Sequence, residues 1–238
     1  MSAAPSSRPG IFLVGTDTGV GKTTVGRALL RHASRRGYRL VPFKPVETGC
    51  EGSAPPDATS LVEAASIPGL SVTEVCRYPF SAPLSPSVAA RLEGATIEAA
   101  EIVTRANMLA RHADALLVEG AGGLLSPWGP DLNAATLAST LGLPVAIIAA
   151  NRLGTINHTA LVAEACVRRG LRCVGFVLVN ATPVATLDRA SNATEIARET
   201  GLPSLGILSY LPNADSDTLA TRARSELDLG TLLGVDLG

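Results

Sequence analysis

Two lysines stand out in a chain that otherwise takes its cations from arginine. Of the 20 Lys and Arg residues, only Lys22 and Lys44 are lysines. Arg is a planar fork and Lys a compact point charge, so each is a candidate for a position that Arg cannot fill, with chance the other reading. Lys22 belongs to GTDTGVGKTT, residues 15–24. Gly19 and Gly21 permit backbone conformations that turn successive N–H groups toward one anion. A helix opening at Lys22 adds the positive end of its dipole. In such a cradle Lys22 reaches the β- and γ-phosphates of a nucleotide, and the Thr23 hydroxyl ligates Mg²⁺. The usual spacing is G-x-x-x-x-G-K-[ST]. Here Gly15 sits one residue early and Thr16 takes its place. The bland reading is a glycine-rich turn that binds nothing, and Lys-Thr at a helix start argues against it.

A phosphate cradle with Mg²⁺ needs an acid. LLVEGAGG, residues 116–123, puts Glu119 at the carboxyl end of an apolar run, followed by glycines that allow close backbone approach to a nucleotide. A plain surface acid is the alternative. Asp57 in PPDATSL reads equally as a metal ligand or as a helix N-cap. Lys44, in FKPVETG, is either an exposed strand-end lysine or an ammonium that stabilises a transferring phosphoryl group.

These residues need strands and helices to bring them together. Short continuous apolar runs at 11–15, 39–43, 115–119, 145–150, 173–179 and 205–208 read as strands covered on both faces. Helical stretches at 22–36, 57–65, 87–93, 97–112, 133–141, 157–169 and 188–200, and from about 217, alternate with them. Residues 66–86, rich in Pro, Gly and Ser, read as one long connection. The pattern predicts an α/β fold: three layers, doubly wound, a mostly parallel sheet with helices on both faces. Ligands in such folds bind beyond the carboxyl ends of the strands.

Length and composition narrow the class. The 238 residues, 46% hydrophobic, suit one domain over 11–238, after a disordered tail over 1–10 that lacks the apolar stretch of a signal peptide. Net charge is −1 without a basic run, which argues against nucleic acid and acidic membrane surfaces as partners. Cys50, Cys76, Cys166 and Cys173 form no CxxC pair and read as reduced structural thiols of a cytoplasmic protein. His32, His112 and His158 form no catalytic group.

Taken together and in order, GTDTGVGKT, FKPVETG, LLVEGAGG and RLGTINH, with SPSVAARLEG between them, resemble dethiobiotin synthetase over about residues 11–183. The resemblance implies a P-loop ligase using ATP and Mg²⁺. Its substrates would be CO₂ and 7,8-diaminopelargonic acid, and its products dethiobiotin, ADP and phosphate. It implies catalytic roles for Lys44 and Lys22. Gly19, Val20, Gly21, Lys22, Thr23 and Thr24 would bind the phosphates, with Glu119, Gly120, Ala121 and Gly122 bordering the nucleotide. Thr23, Asp57 and Glu119 match Mg²⁺ ligands, and Thr48 a substrate-binding hydroxyl. Gly154, Thr155, Ile156 and Asn157 match a loop that holds the substrate carboxylate from the neighbouring subunit of a homodimer. Asn157 also reads as a helix cap. The chain departs from the pattern at the adenine end: Asn180 stands one place late, and Ser209 replaces a proline, leaving Ser209, Tyr210 and Leu211 as candidates. Ser87 stands where His is common. Three other P-loop readings compete, one of them a stand-alone regulatory domain. A ParA/MinD-type ATPase switch carries Lys five residues before the P-loop lysine, where this chain has Asp17. A cobyrinate-type amidase needs a glutaminase domain that this length does not hold.

Overall fold

The computed structural model describes residues 9–50, 52, 54–184 and 186–238. Strand β1 (Gly10–Gly15) leads into α1 (Lys22–Ser34) and β2 (Leu40–Phe43). A less regular stretch follows: β3 (Val46–Thr48), α2 (Pro56–Ala65), the single turn α3 (Val72–Val75), β4 (Tyr78–Phe80), α4 (Pro86–Leu92) and α5 (Ala99–Ala110). Then come β5 (Ala115–Gly123), α6 (Ala134–Leu141), β6 (Val145–Ala150), α7 (Thr155–Arg168), β7 (Cys173–Val179) and α8 (Leu187–Thr200). Strand β8 (Ser204–Leu208) precedes α9 (Ser216–Glu226) and α10 (Leu229–Leu233).

The main sheet has six strands in the order β2-β5-β1-β6-β7-β8, and every pairing is parallel. Successive side chains of a strand point to opposite faces. In β1, Phe12 and Val14 enter one apolar cluster, and Ile11 and Leu13 the other. The first cluster takes in Ile102 of α5, Leu137 of α6, Cys166 of α7 and Ile196 of α8. The second takes in Leu29 of α1, Leu61 of α2, Leu219 of α9 and Leu232 of α10. That is the three-layer arrangement expected from the sequence. Aromatics are few, but Phe12, Phe43 and Phe176 are fully buried. Each contributes about 1.5–3 kcal/mol over an exposed position.

Three expectations change. Gly10 is the first residue of β1, so the strand reaches into the segment expected as tail, and residues 1–8 lie outside those described. The connection expected over 66–86 holds α3 and β4, and β4 pairs in parallel with β3 to make a second, two-stranded sheet. Strands of three residues carry too little period to read from sequence. The strand expected to end at Glu119 continues to Gly123. The four cysteines are free thiols, three of them buried. Among the described residues no helix is long and apolar enough to cross a membrane.

Candidate active site

The sheet directs its loops to one rim. The chain leaves β1 toward β2 on one side and leaves β6 toward β7 on the other, so a crevice opens at the carboxyl ends of these neighbouring strands. The turn after β1 lies there. Gly21 caps α1 in the left-handed region at φ 99°, and α1 has neither a side-chain cap nor an acid in its first turn. Its first N–H groups and positive dipole end are therefore left for an external anion. Gly15 is early for the usual spacing yet still needed as glycine. A Cβ there would stand 2.5 Å from the Asp17 carbonyl oxygen and 2.7 Å from Lys22 Nζ.

Strand register assembles the rest. Phe43 of β2 pairs with Val118 of β5, so the next residues, Lys44 and Glu119, emerge side by side. Lys44 Nζ lies 2.5 Å from Glu119 Oε1 and 2.9 Å from Asp57 Oδ2. The Thr23 hydroxyl donates to the same Glu119 Oε1 at 2.8 Å. Lys22 Nζ donates to the Asp17 carbonyl at 3.0 Å. Lys22, Lys44, Asp57 and Glu119 all line one cleft of about 840 Å³, together with Gly19, Gly21, Thr23, Thr24, Thr48, Ala121 and Gly122. Trp128, buried, donates from Nε1 to the Ala121 carbonyl at 3.2 Å and fixes that wall.

The two lysines differ in charge state. Burial pushes the Lys22 ammonium down to about 8, against the opposing pull of the Glu119 carboxylate. Burial also works against Lys44, but the Glu119 and Asp57 carboxylates more than offset it and hold its pKa above the ordinary lysine value. Lys44 is 3% exposed, so it is not the solvated strand-end lysine of the alternative reading.

The donor set fits Mg²⁺. Glu119 Oε2 is buried without a hydrogen-bond partner. With the Asp57 carboxylate and the Thr23 hydroxyl it makes a hard oxygen set, and Mg²⁺ characteristically takes one or two carboxylates plus water and phosphate oxygens.

Several expected residues take other places. Asp57 is not the cap of α2: Pro55 holds that position without a side-chain bond, and the Asp57 carboxylate turns to Lys44. Val20 packs its side chain in the apolar core, which leaves only its backbone for phosphate, and Gly120 is buried within β5. Asn180, Ser209 and Tyr210 line a second cleft of about 470 Å³ at the tips of β6, β7 and β8. It neighbours the P-loop, because a Cβ on Gly21 would meet Val179 Cγ1 at 2.8 Å. Leu211 packs against the core instead. The Ser209 hydroxyl is already committed to Glu226 Oε1 at 2.6 Å. Gly154 is the cap of α7, at φ 90°, and Thr155 is buried. Asn157 is exposed inside the helix, so it is not the cap, and residues 154–157 line neither cleft.

Sequence reasoning missed three contributors. Buried Asn192 donates to Asn151 Oδ1 at 2.9 Å, and buried Asn151 donates to Asn180 Oδ1 at 2.9 Å. Glu47 lines the main cleft and is 3% exposed. Its signal was a carboxylate inside the short apolar run PVET, where burial requires a partner.

A three-layer fold around a parallel sheet, with a phosphate cradle after β1 and an acid on the neighbouring strand β5, defines a P-loop nucleotide-binding protein. A family model described as an AAA domain matches residues 9–218. The ATP-dependent dethiobiotin synthetase BioD of Anaeromyxobacter dehalogenans (strain 2CP-1) is 44% identical over 229 residues, covering 96% of this chain and 98% of that one. The BioD of Ralstonia nicotianae is 40% identical, with 93% and 96% covered. That of Bacillus subtilis (strain 168) is 32% identical, with 94% and 97% covered. The chain belongs to the dethiobiotin synthetase family. Among solved structures, the MinC:MinD complex of Aquifex aeolicus matches at TM-score 0.53 and 12% identity, covering 89% of this chain and 85% of that one. Chloroplast FtsY of Physcomitrella patens matches at 0.52 and 15%, with 98% and 66% covered. These likenesses show the fold alone, and the family membership sets the ParA/MinD-type reading aside.

Proposed function

We propose that this chain is the ATP- and Mg²⁺-dependent ligase that carboxylates 7,8-diaminopelargonic acid with CO₂ and closes the ureido ring, releasing dethiobiotin, ADP and phosphate. Residues 11–238 act as one ligase domain in the cytoplasm. The observation that carries the reading is the convergence of Lys22, Lys44, Thr23, Asp57 and Glu119 on one cleft.

The reaction joins two anions. One substrate amine takes up CO₂ as a carbamate, losing a proton, and the carbamate oxygen then attacks the γ-phosphorus of ATP, breaking its bond to the bridging oxygen and expelling ADP. The second amine displaces phosphate from the carbamic-phosphoric anhydride and closes the ring. Bringing carbamate and γ-phosphate within bonding distance needs dense positive charge in a partly desolvated site. The N–H groups of residues 19–24 and the Lys22 ammonium bind the phosphates. Lys44, held at the strand tip by two carboxylates, supplies a fixed cation beside the transferring phosphoryl group. Thr23, Asp57 and Glu119 hold Mg²⁺, which when bound offsets phosphate charge. Glu119, Gly120, Ala121 and Gly122 border the nucleotide. Thr48 offers its hydroxyl to the substrate. Asn180, Ser209 and Tyr210 receive the base in the neighbouring cleft.

The protein acts as a homodimer with the site at its interface. Leu153, Leu161 and Val167, on α7 and the loop before it, are 83%, 57% and 78% exposed, apolar side chains that a second copy would cover. The loop of Gly154, Thr155, Ile156 and Asn157, with Thr155 buried beneath that surface, holds the substrate carboxylate of the partner's site, where the N–H groups of Ile156 and Asn157 at the start of α7 favour an anion.

Labelled bicarbonate tests the activity. Ring incorporation and phosphate release that both require the diamine support the reading; phosphate release indifferent to diamine and bicarbonate would sink it. For the dimer, inactive Lys44→Met and Asn157→Asp subunits are mixed. Partial recovery of activity supports a shared site, and no recovery in demonstrated mixed dimers refutes it.

A further inference from the structure

Helix α2 begins without a local cap. Pro55 stands at the cap position, Pro56 has no N–H, and the Thr59 N–H is satisfied by the Pro55 carbonyl at 3.0 Å. Two N–H groups of the first turn remain, those of Asp57 and Ala58. Both are taken by one side chain from another element. Asp57 N–H donates to Glu47 Oε1 at 2.7 Å, and Ala58 N–H donates to Glu47 Oε2 at 2.9 Å. Glu47 sits in β3, three residues after Lys44, and is 3% exposed. Burial raises its pKa, while the two N–H groups and the Lys44 ammonium oppose that rise.

We propose that Glu47 is a positioning residue: a distant cap of α2 that clamps the backbone of Asp57 to the strand following Lys44 and so sets the Asp57 carboxylate for metal. This rests on the reading of Asp57 as a Mg²⁺ ligand. The clamp closes a small loop of interactions. The Asp57 carboxylate meets Lys44 Nζ at 2.9 Å, and the Asp57 N–H meets Glu47. A Ser or Asp at position 55 would cap the helix locally but leave this backbone free of β3. Each Glu47 oxygen accepts one of the two N–H groups, so the carboxylate is held by the start of α2.

The test is metal binding, read apart from turnover. Mn²⁺ affinity of the full-length protein with ADP is measured by electron paramagnetic resonance for wild type, Glu47→Gln, Asp57→Asn and the double variant. ADP affinity without metal is measured in parallel. Gln keeps one acceptor oxygen, so one of the two N–H groups loses its partner. Glu47→Gln is expected to weaken Mn²⁺ binding about 10–100-fold, as loss of an outer partner of a metal ligand does. Metal-free ADP affinity should stay at the wild-type value. The double variant should bind Mn²⁺ no more weakly than Asp57→Asn alone. Should Glu47→Gln fail to fold, Glu47→Asp, which keeps the charge on a shorter arm, takes its place in the same comparisons. Wild-type Mn²⁺ affinity in the position-47 variant, with Asp57→Asn weakened, overturns the positioning role alone. So do full additivity in the double variant and an equal loss of metal-free ADP affinity, which marks a merely structural role. Wild-type affinity in Asp57→Asn overturns the metal-ligand reading itself.

Discussion

Lys44 and Glu119 form an ion pair 2.5 Å long between residues 75 apart in the chain, joining the end of β2 to the middle of the neighbouring parallel strand β5. Glu119 is fully buried, and its other oxygen has no partner. The pair therefore matters to folding and to the chemistry, and variants can separate the two.

For folding, Lys44→Met leaves a buried carboxylate with its strongest partner gone. Breaking such a pair from one side costs about 3–5 kcal/mol. Lys44→Met should therefore melt well below wild type, and Lys44→Met/Glu119→Gln should recover much of the loss while staying inactive. Calorimetry on both proteins decides; a double variant no more stable than the single one rejects the pair as the cause.

For catalysis, Lys44→Arg keeps the charge but replaces a compact ammonium with a wide fork. Loss of a donor to the transition state typically costs about 2.7–4 kcal/mol, or 10²–10³ in turnover. Single-turnover rates should fall by about that factor while ADP affinity holds. An unchanged rate would remove Lys44 from the chemistry.

Behind the cleft proposed for the base, Asn192 also lies 3.5 Å from the Arg152 carbonyl, an atom that only accepts, and this orients the amide chain from Asn192 through Asn151 to Asn180. Asn192→Leu leaves Asn151 Oδ1 without its donor, at a cost of about 1–3 kcal/mol. The KM for ATP should rise with kcat little changed. A fall in kcat at constant KM would place the amide chain outside base recognition.

His32, buried in α1, gives a pH signature. Burial, followed by the charges of Arg36, Arg224 and Arg35, holds its pKa below the ordinary 6.5. The unfolded chain takes up this proton near 6.5, while the folded protein resists until lower pH. Between those points the unfolded state binds more protons, so stability falls as pH drops below about 6.5. Urea midpoints at pH 7.5 and 5.5 should therefore differ more for wild type than for His32→Gln; equal differences would discount the histidine.

Much of the site was legible because it is built from local signals. GVGKTT carries its own turn and helix start, and Glu119 its own apolar strand. Asp57 was ambiguous because an acid at a helix start serves as cap or ligand alike. The structure removes the cap reading, because Glu47, ten residues upstream, does the capping. Strands β3 and β4 stayed hidden for their brevity. The Asn151–Asn192 contact was invisible because neither amide lies in a motif.

The sequence by itself determined the six strands of the main sheet, most of the helices and the phosphate cradle, since each depends on neighbours within a few turns of chain. The tertiary structure decided which charges meet. Strand order β2-β5-β1 and the pairing of Phe43 with Val118 bring Lys44 beside Glu119, and Leu13 pairs with Glu119 from the other side. Parallel strands pair only across long crossovers, and a shift of one residue would turn every side chain to the opposite face. That register is fixed by burial of two apolar faces at once, a condition no local stretch of sequence expresses.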